Sequence, residues 1–192
     1  MRVLIVYAHP VETSFCAALH ARVVDTLRAS GHEVDDCDLY AEDFEPRLSR
    51  EERLGYHDVP QNRDPVAPHV DRLLAAEALV LVFPVWNYGF PAILKGYFDR
   101  VFLPGVSFRL EDGKVSPNLS HLKRITAITT YGGTRLRAFV LGDAPRKIVK
   151  RLLRATSPGA RVDYRALYDM NRNDRATLDK HLESVVRLME RF

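Results

Sequence analysis

Residues 2–15 read RVLIVYAHPVETSF, a stretch that joins an apolar strand to the start of a helix. The run from Arg2 to Ala8 is apolar and rich in β-branched residues without alternation, which is typical of a strand buried on both faces. Thr13 and Ser14 are favourable N-cap residues for the helix that we predict from about Ser14 to Ser30. A buried strand that leads directly into a helix is the first half of a parallel crossover unit.

The same pattern of strand and helix recurs along the chain. We predict further strands at Val34–Leu39, Ala78–Phe83, Arg124–Thr130 and Arg161–Leu167, and further helices at Val66–Ala76, Ala92–Phe102, from Asp143 to about Pro158 and at Asp174–Arg191. Five alternations require crossover connections, which predict an α/β fold with a three-layer, doubly wound, five-stranded parallel sheet. Five strands favour the flavodoxin-like order 2-1-3-4-5. The length of 192 residues suits a single domain over residues 1–192.

Local signals add detail to these elements. Asp112-Gly113, within Phe108–Val115, is a hairpin-turn pair. The polar, irregular stretch Ala41–Pro65 is too long for a simple connection and predicts an excursion beside the ligand site. We expect Asp143 to cap the helix that begins at Ala144-Pro145, with a core face made of Ile148, Val149, Leu152 and Leu153.

Composition narrows the function classes. Hydrophobic residues make up 46% and charged residues 28%, which is ordinary globular usage, and the net charge of +3 is too small to imply a nucleic-acid partner. Cys16 and Cys37 are expected to be buried free thiols, and no Cys/His cluster has metal-binding spacing. The N-terminal apolar run is too short to span a membrane and lacks the pattern of a cleaved leader, so we expect a cytoplasmic protein without membrane insertion.

Ligands of such sheets bind outside the carboxyl ends of the strands, where the winding direction reverses. After the first strand, the segment His9–Phe15 leads into a helix whose first N–H groups, with the hydroxyls of Thr13 and Ser14, form a possible phosphate cradle. An ordinary N-cap without a ligand is the alternative. The chain has no GxGxxG pattern, which disfavours a dinucleotide-binding Rossmann site.

Two further loops follow strands that neighbour the first. Pro84–Pro91 contains three aromatic residues and two prolines, which suits the stacking of a flat heteroaromatic ring, although a hydrophobic plug or a dimer contact would show the same pattern. Thr129–Thr134 contains Gly132-Gly133, which allows the backbone to approach a ligand, although a plain turn is the alternative. The predicted topology brings the three loops to one crevice. The basic residues between Arg135 and Arg154 are most simply a solvated helix face, and otherwise an anion-attracting rim.

Three stretches resemble the flavodoxin-like NAD(P)H:quinone oxidoreductases, a family that includes mammalian quinone reductases, bacterial modulators of drug activity and ancillary proteins of potassium efflux systems. They read VLIVYAHPVETSF, FPVWNYGFPAILKGYFDRVF and ITAITTYGG. The resemblance covers about residues 1–135. It implies a homodimer that binds a flavin near the interface, takes hydride from NADPH or NADH, and passes two electrons to a quinone-like acceptor in a ping-pong reaction.

The resemblance also implies a role for each matching residue. It implies a flavin phosphate site made of His9, Thr13, Ser14, Phe15 and Cys16. It implies that the flavin ring is lined by Pro84, Val85, Trp86, Asn87 and Tyr88, and that its pyrimidine side meets Thr130, Tyr131, Gly132 and Gly133. Phe108 occupies the position of an aromatic that overhangs the acceptor pocket.

The chain departs from the family after the Gly-Gly turn. The mammalian enzymes have a Tyr and a His there that are proposed to relay protons, whereas this chain has no histidine between His121 and His181. Tyr131 is our candidate replacement. The chain also ends at Phe192, without the C-terminal extension of the mammalian enzymes. The resemblance implies FAD or FMN as the cofactor, and the His9–Phe15 segment favours FAD. The arginines near residues 135–154 favour NADPH over NADH.

Two other functions compete with a flavoenzyme. One is a flavodoxin-type electron carrier, which the positive net charge disfavours because such carriers are usually acidic. The other is an ancillary or regulatory flavoprotein subunit of a membrane transporter, docked through the apolar helix Ala92–Phe102. A serine hydrolase is disfavoured, because no GxSxG motif occurs.

Overall fold

The computed structural model describes residues 1–192 and is built around a five-stranded sheet of order β2-β1-β3-β6-β7. The strands are β1 (Arg2–Tyr7), β2 (Glu33–Asp38), β3 (Ala78–Val85), β4 (Phe108–Glu111), β5 (Lys114–Pro117), β6 (Arg124–Tyr131) and β7 (Arg161–Leu167). The helices are α1 (Phe15–Ala29), α2 (Arg50–Leu54), α3 (Ala67–Ala75), α4 (Ala92–Val101), α5 (Arg135–Val140), α6 (Ala144–Lys147), α7 (Arg154–Thr156) and α8 (Arg175–Met189).

All four strand pairs of the large sheet are parallel. Numbered without the β4–β5 hairpin, the order is 2-1-3-4-5, so the predicted fold class and strand order are confirmed. The winding direction reverses between β1 and β3, which pair in register from Val3 with Ala78 to Tyr7 with Val82. The carboxyl ends of β1, β3 and β6 therefore lie side by side, as the sequence predicted.

Each face of the sheet carries its own core. On one face, α1 and α8 cover β1 and β3 through residues such as Leu19, Val23 and Val185, all fully buried. On the other face, α3, α4 and the α6–α7 segment cover the sheet through residues such as Leu73, Tyr97 and Leu153. Because both faces are covered, every residue of β3 is buried, which explains its unbroken apolar sequence.

Strand β3 continues two residues beyond its predicted end and includes Pro84 and Val85. A proline is tolerated there because the pairing with β1 ends at Val82, so beyond that point β3 is paired only with β6. The predicted loop therefore begins at Trp86.

The segment between Gly133 and Pro158 differs most from prediction. Helix α5 was not predicted; Thr134 caps it, accepting a hydrogen bond from Arg137 N at 3.3 Å. Asp143 was wrongly predicted to cap α6: its φ is +43° and its side chain caps no helix. A π-helical turn, Ile148–Leu153, joins α6 to α7 and buries Val149 and Leu153, while Leu152 is 55% exposed, against the predicted core face.

Two smaller units lie outside the sheet and its covering helices. The β4–β5 hairpin turns at Asp112-Gly113 as predicted, with φ +49° and +73°, the values of a type I′ turn. The excursion over residues 41–65 contains α2 and is fixed to α4 by a largely buried ion pair between Arg100 and Glu52 at 2.6 Å. No helix is both long and apolar enough to cross a bilayer.

Candidate functional site

Contacts of several kinds bring the three predicted loops together at the carboxyl edge of the sheet. Ala8 N donates a hydrogen bond to Val82 O at 3.0 Å, and the rings of His9 and Trp86 lie 5.7 Å apart. On the other side, the hydroxyl of Tyr88 packs so closely on Gly133 that a Cβ added there would lie 2.6 Å from it. The loops after β1, β3 and β6 are thus one continuous rim.

The start of α1 offers free hydrogen-bond donors. Ser14 Oγ accepts a hydrogen bond from Ala17 N at 3.1 Å and so caps the helix. Phe15 and Cys16 are the first two residues of this 15-residue helix, and their amides form no hydrogen bond within the chain. Free amides at the positive end of a helix dipole attract anions, and phosphate in particular. The exposed Thr13 stands beside them, and the Cys16 side chain is buried beneath them.

The imidazole of His9 is held in one orientation. Its Nδ1 accepts a hydrogen bond from Val11 N at 3.0 Å, which places the ring proton of the neutral form on Nε2. Burial lowers the pKa of His9, so the neutral form predominates at pH 7. His9 therefore fixes its own loop with one nitrogen and leaves Nε2–H as a donor.

The loop after β3 is a tight two-residue turn. Trp86 and Gly89 exchange both backbone hydrogen bonds, at 2.9 and 3.2 Å, around Asn87 and Tyr88, whose φ angles are +47° and +58°. Asn tolerates this left-handed region, but a tyrosine there stores of order 1 kcal/mol of backbone strain. The turn lifts the Trp86 side chain, 41% exposed, above Pro84 and Val85, which are buried in β3.

The loop after β6 presents backbone rather than side chains. Thr130 and Tyr131 are buried within the strand, whereas the amides of Gly132 and Gly133 form no hydrogen bond within the chain. A polar hollow of about 310 Å³ opens at this loop, next to Arg137, Asn171 and Arg172. The loop can therefore offer amide donors to a ligand edge.

Tyr131 is buried beneath this loop, and its hydroxyl is part of a network. It donates to Asp143 Oδ1 at 2.6 Å, so the Tyr164 hydroxyl, also 2.6 Å away, must donate to Tyr131. Burial is the largest of several causes that raise the pKa of Tyr131, so its phenol stays protonated. The structure thus places Tyr131 one residue from the open rim, with its hydroxyl turned toward Asp143.

Phe108 lies apart from the rim. It is half-buried in an apolar hollow of about 490 Å³ whose wall shares only Phe90 with the three loops. Phe98 and Phe102 of α4 and Leu152 line the same hollow.

One polar cluster was not foreseen from the sequence. The side chains of Cys37, Glu42 and His69 place ligand-type atoms within 4.8 Å of one another. Arg72 donates to both Glu42 oxygens, at 2.8 and 2.9 Å, and pairs with Asp35. Because His69 lies 32 positions beyond Cys37, the sequence spacing did not reveal the cluster. We interpret it as a satisfied polar network at the edge of the sheet, in which burial raises the pKa of the Cys37 thiol.

A doubly wound parallel sheet of strand order 2-1-3-4-5, with an open rim of donors and aromatic rings at its switch point, has the architecture of the flavodoxin-like class. Residues 1–143 match the family model described as "Flavodoxin-like fold". The chain belongs to this family, and its curated relatives are named as NAD(P)H oxidoreductases and quinone dehydrogenases.

Individual relatives place the chain more closely. It is 38% identical over 135 residues to an uncharacterised NAD(P)H oxidoreductase of Haemophilus influenzae, covering 69% of this chain and 65% of the relative. It is 34% identical over 148 residues to NAD(P)H dehydrogenase [quinone] 1 of Rattus norvegicus, covering 68% and 54%. The chain thus spans roughly half to two thirds of these relatives. The solved NAD(P)H:quinone oxidoreductase of Methanothermobacter marburgensis superposes with a TM-score of 0.84 at 25% identity, over 99% and 98% of the two chains.

Proposed function

We propose that the protein is a flavin-dependent NAD(P)H oxidoreductase that reduces a quinone-like acceptor. The bound flavin, FAD or FMN, would accept hydride from NADPH or NADH and pass two electrons to the acceptor in a ping-pong sequence. The names of the relatives support the reaction class. The rim at the carboxyl ends of β1, β3 and β6 supports the proposal that a flavin binds there.

The residues of the rim fit a flavin without rearrangement of their hydrogen bonds. The free amides of Phe15 and Cys16, together with the hydroxyls of Thr13 and Ser14 and the Nε2–H of His9, would bind the phosphate. The turn Trp86–Gly89 would cover the ring. The free amides of Gly132 and Gly133 would donate to its pyrimidine edge, where negative charge develops on reduction. One observation carries the proposal: three sets of unbonded donors and aromatic rings lie on one rim.

Initial-velocity kinetics test the reaction. Purified protein reconstituted with FAD or FMN should oxidise NADPH with a small quinone as acceptor. Double-reciprocal plots at several quinone concentrations should be parallel, because one product leaves before the acceptor binds. Intersecting lines would contradict the ping-pong sequence, and failure to bind either flavin would contradict the proposed function.

We also propose a homodimer, because the apolar hollow around Phe98, Phe102 and Phe108 is open in the single chain. A second copy would cover this surface and bring Phe108 to the rim of its partner. A Phe98→Glu variant should sediment as a monomer, whereas Lys114→Glu on the exposed hairpin should leave the dimer intact.

A cytoplasmic location stays a prediction, which the two buried, unpaired cysteines support.

A further inference from the structure

A basic hollow of about 340 Å³ lies beside the rim. It is lined by five cationic side chains, two aromatic rings and one carboxylate, together with a glycine: Arg135, Arg146, Lys147, Lys150, Arg151, Phe139, Tyr168, Asp143 and Gly142. The carboxylate is already engaged, because Asp143 Oδ1 accepts the hydrogen bond of Tyr131. Because five cationic side chains face a single carboxylate, the hollow keeps a concentrated positive charge.

None of these five cations forms an ion pair, although the chain contains 13 pairs between an Arg or Lys and a carboxylate. Lys150 donates to the carbonyl of Val162, and Arg146 lies over the ring of Tyr164. Lys147 and Arg151 are exposed and form no side-chain hydrogen bond. A solvated helix face would spread its charges outward, whereas these converge on one concavity, where their mutual repulsion favours a bound anion.

The hollow adjoins the flavin rim but lies on the other face of the sheet from α1. Asp143 bonds to Tyr131, which directly precedes Gly132, and Arg135 follows Gly133 by two residues. The ring of Tyr168, in the wall of the hollow, lies 4.6 Å from that of Tyr131. Helix α1, whose free amides would bind the flavin phosphate, packs on the opposite face. An anion in the hollow would therefore belong to a ligand other than the phosphate end of the flavin.

We propose that the basic hollow binds the 2′-phosphoadenosine end of NADPH and makes the enzyme prefer NADPH to NADH. This inference rests on the proposed function, since it concerns the hydride donor of the same site. A phosphate monoester carries two negative charges and several acceptor oxygens, which match a cluster of Arg and Lys donors. The exposed ring of Phe139 and the ring of Tyr168 offer faces on which adenine can stack.

The test compares two double variants of equal charge change. Lys147→Ala/Arg151→Ala removes two cations of the hollow. Arg154→Ala/Lys180→Ala removes two exposed cations that lie outside it. Calorimetry with adenosine 2′,5′-bisphosphate and adenosine 5′-monophosphate, on flavin-loaded protein, measures binding without turnover. Steady-state kcat/KM for NADPH and for NADH measures the preference.

We expect the bisphosphate to bind the wild-type protein at least about tenfold more tightly than the monophosphate. Only the bisphosphate carries the 2′-phosphate, and a single charge-assisted hydrogen bond to it is enough for about tenfold in affinity. Lys147→Ala/Arg151→Ala should lose this difference and lower kcat/KM for NADPH with that for NADH unchanged, while the control double variant keeps both. Equal affinity of wild type for the two probes, or equal loss for NADPH and NADH, would overturn the inference. Loss of flavin from Lys147→Ala/Arg151→Ala would overturn it too, since the hollow would then hold the cofactor. Tight bisphosphate binding without oxidation of either nucleotide would instead refute the proposed function.

Discussion

Tyr88 is a residue whose backbone conformation is strained. Its φ of +58° is unusual for an aromatic residue, and its hydroxyl closes on Gly133. Strained residues of this kind cluster at ligand sites, where the surrounding structure holds them in place. We interpret the strain as the consequence of presenting an aromatic ring at the tip of a two-residue turn.

Replacing this ring tests that interpretation. Tyr88→Asn keeps a side chain that tolerates the left-handed region and removes the ring, so the fold should persist. Flavin affinity should fall about tenfold, near the upper end of the range for a lost aromatic stacking contact. Fluorescence titration of the apoprotein with FMN and FAD measures the affinity. Asp112→Gly, at a non-glycine residue with φ +49° in the distant hairpin, is the control and should leave flavin affinity unchanged. An unchanged flavin affinity in Tyr88→Asn would show that the Tyr88 ring does not contact the flavin.

The buried tyrosines 97 and 131 make a matched pair. The hydroxyl of Tyr97 has no hydrogen-bond partner, whereas that of Tyr131 bonds to Asp143 and Tyr164. Tyr131→Phe should lower the free energy of unfolding by about 1–3 kcal/mol because it deprives the partly buried Asp143 and Tyr164 of their hydrogen-bond partner. Tyr97→Phe should be neutral or stabilising because it removes an unpaired group. Urea unfolding measures both. If Tyr131 also relays protons, the pH profile of turnover should shift in Tyr131→Phe alone.

At the scale of elements, close approach of backbones fixes the excursion over residues 41–65 beside the sheet. A Cβ on Gly96 of α4 would lie 2.2 Å from Pro46 O, a backbone atom that cannot rotate away. Gly96→Ala should therefore lower the free energy of unfolding by about 1–3 kcal/mol, the range for overpacking a core. Gly55→Ala is the control, since its Cβ would lie 3.5 Å from a side-chain oxygen of Asp58. A stable Gly96→Ala would show that the excursion is not fixed by this contact.

The sequence predicted the elements that carry a clear local signal. The strands β1, β3, β6 and β7, the helix α1 and the turn at Asp112-Gly113 follow from local signals, and the alternation gives their order. The sequence did not predict α5, because its residues Leu136, Phe139 and Val140 are 73%, 77% and 72% exposed and show no buried stripe. It also wrongly predicted Asp143 as a helix cap. The Asp143 carboxylate instead accepts a hydrogen bond from Tyr131 at the end of β6, a tertiary contact that local sequence does not reveal. Positions for the site loops were predictable, but their free amides and the basic hollow depend on tertiary contacts.

At the scale of the whole molecule, the stability of the fold should depend on His181. Burial, with a smaller contribution from Arg165, lowers the pKa of His181 from 6.5 to about 4. The unfolded chain therefore binds a proton between about pH 6.5 and 4 that the folded protein does not, so stability falls as the pH drops through this range. Thermal unfolding from pH 7 to 5 should show this loss, and His181→Gln should reduce it. The exposed His57→Gln is the control and should keep the wild-type slope. An unchanged slope in His181→Gln would assign the pH dependence to other groups.

The account depends on the rim formed by His9–Cys16, Trp86–Gly89 and Gly132–Gly133 as one flavin site. Anaerobic titration of the purified, reconstituted protein with NADPH, followed by absorbance, tests this most directly. We predict that the protein binds one flavin per chain and that its visible absorption bleaches as NADPH is added and returns on addition of a quinone. A protein that stays colourless with both FAD and FMN, or a bound flavin that NADPH does not bleach, would contradict the central claim.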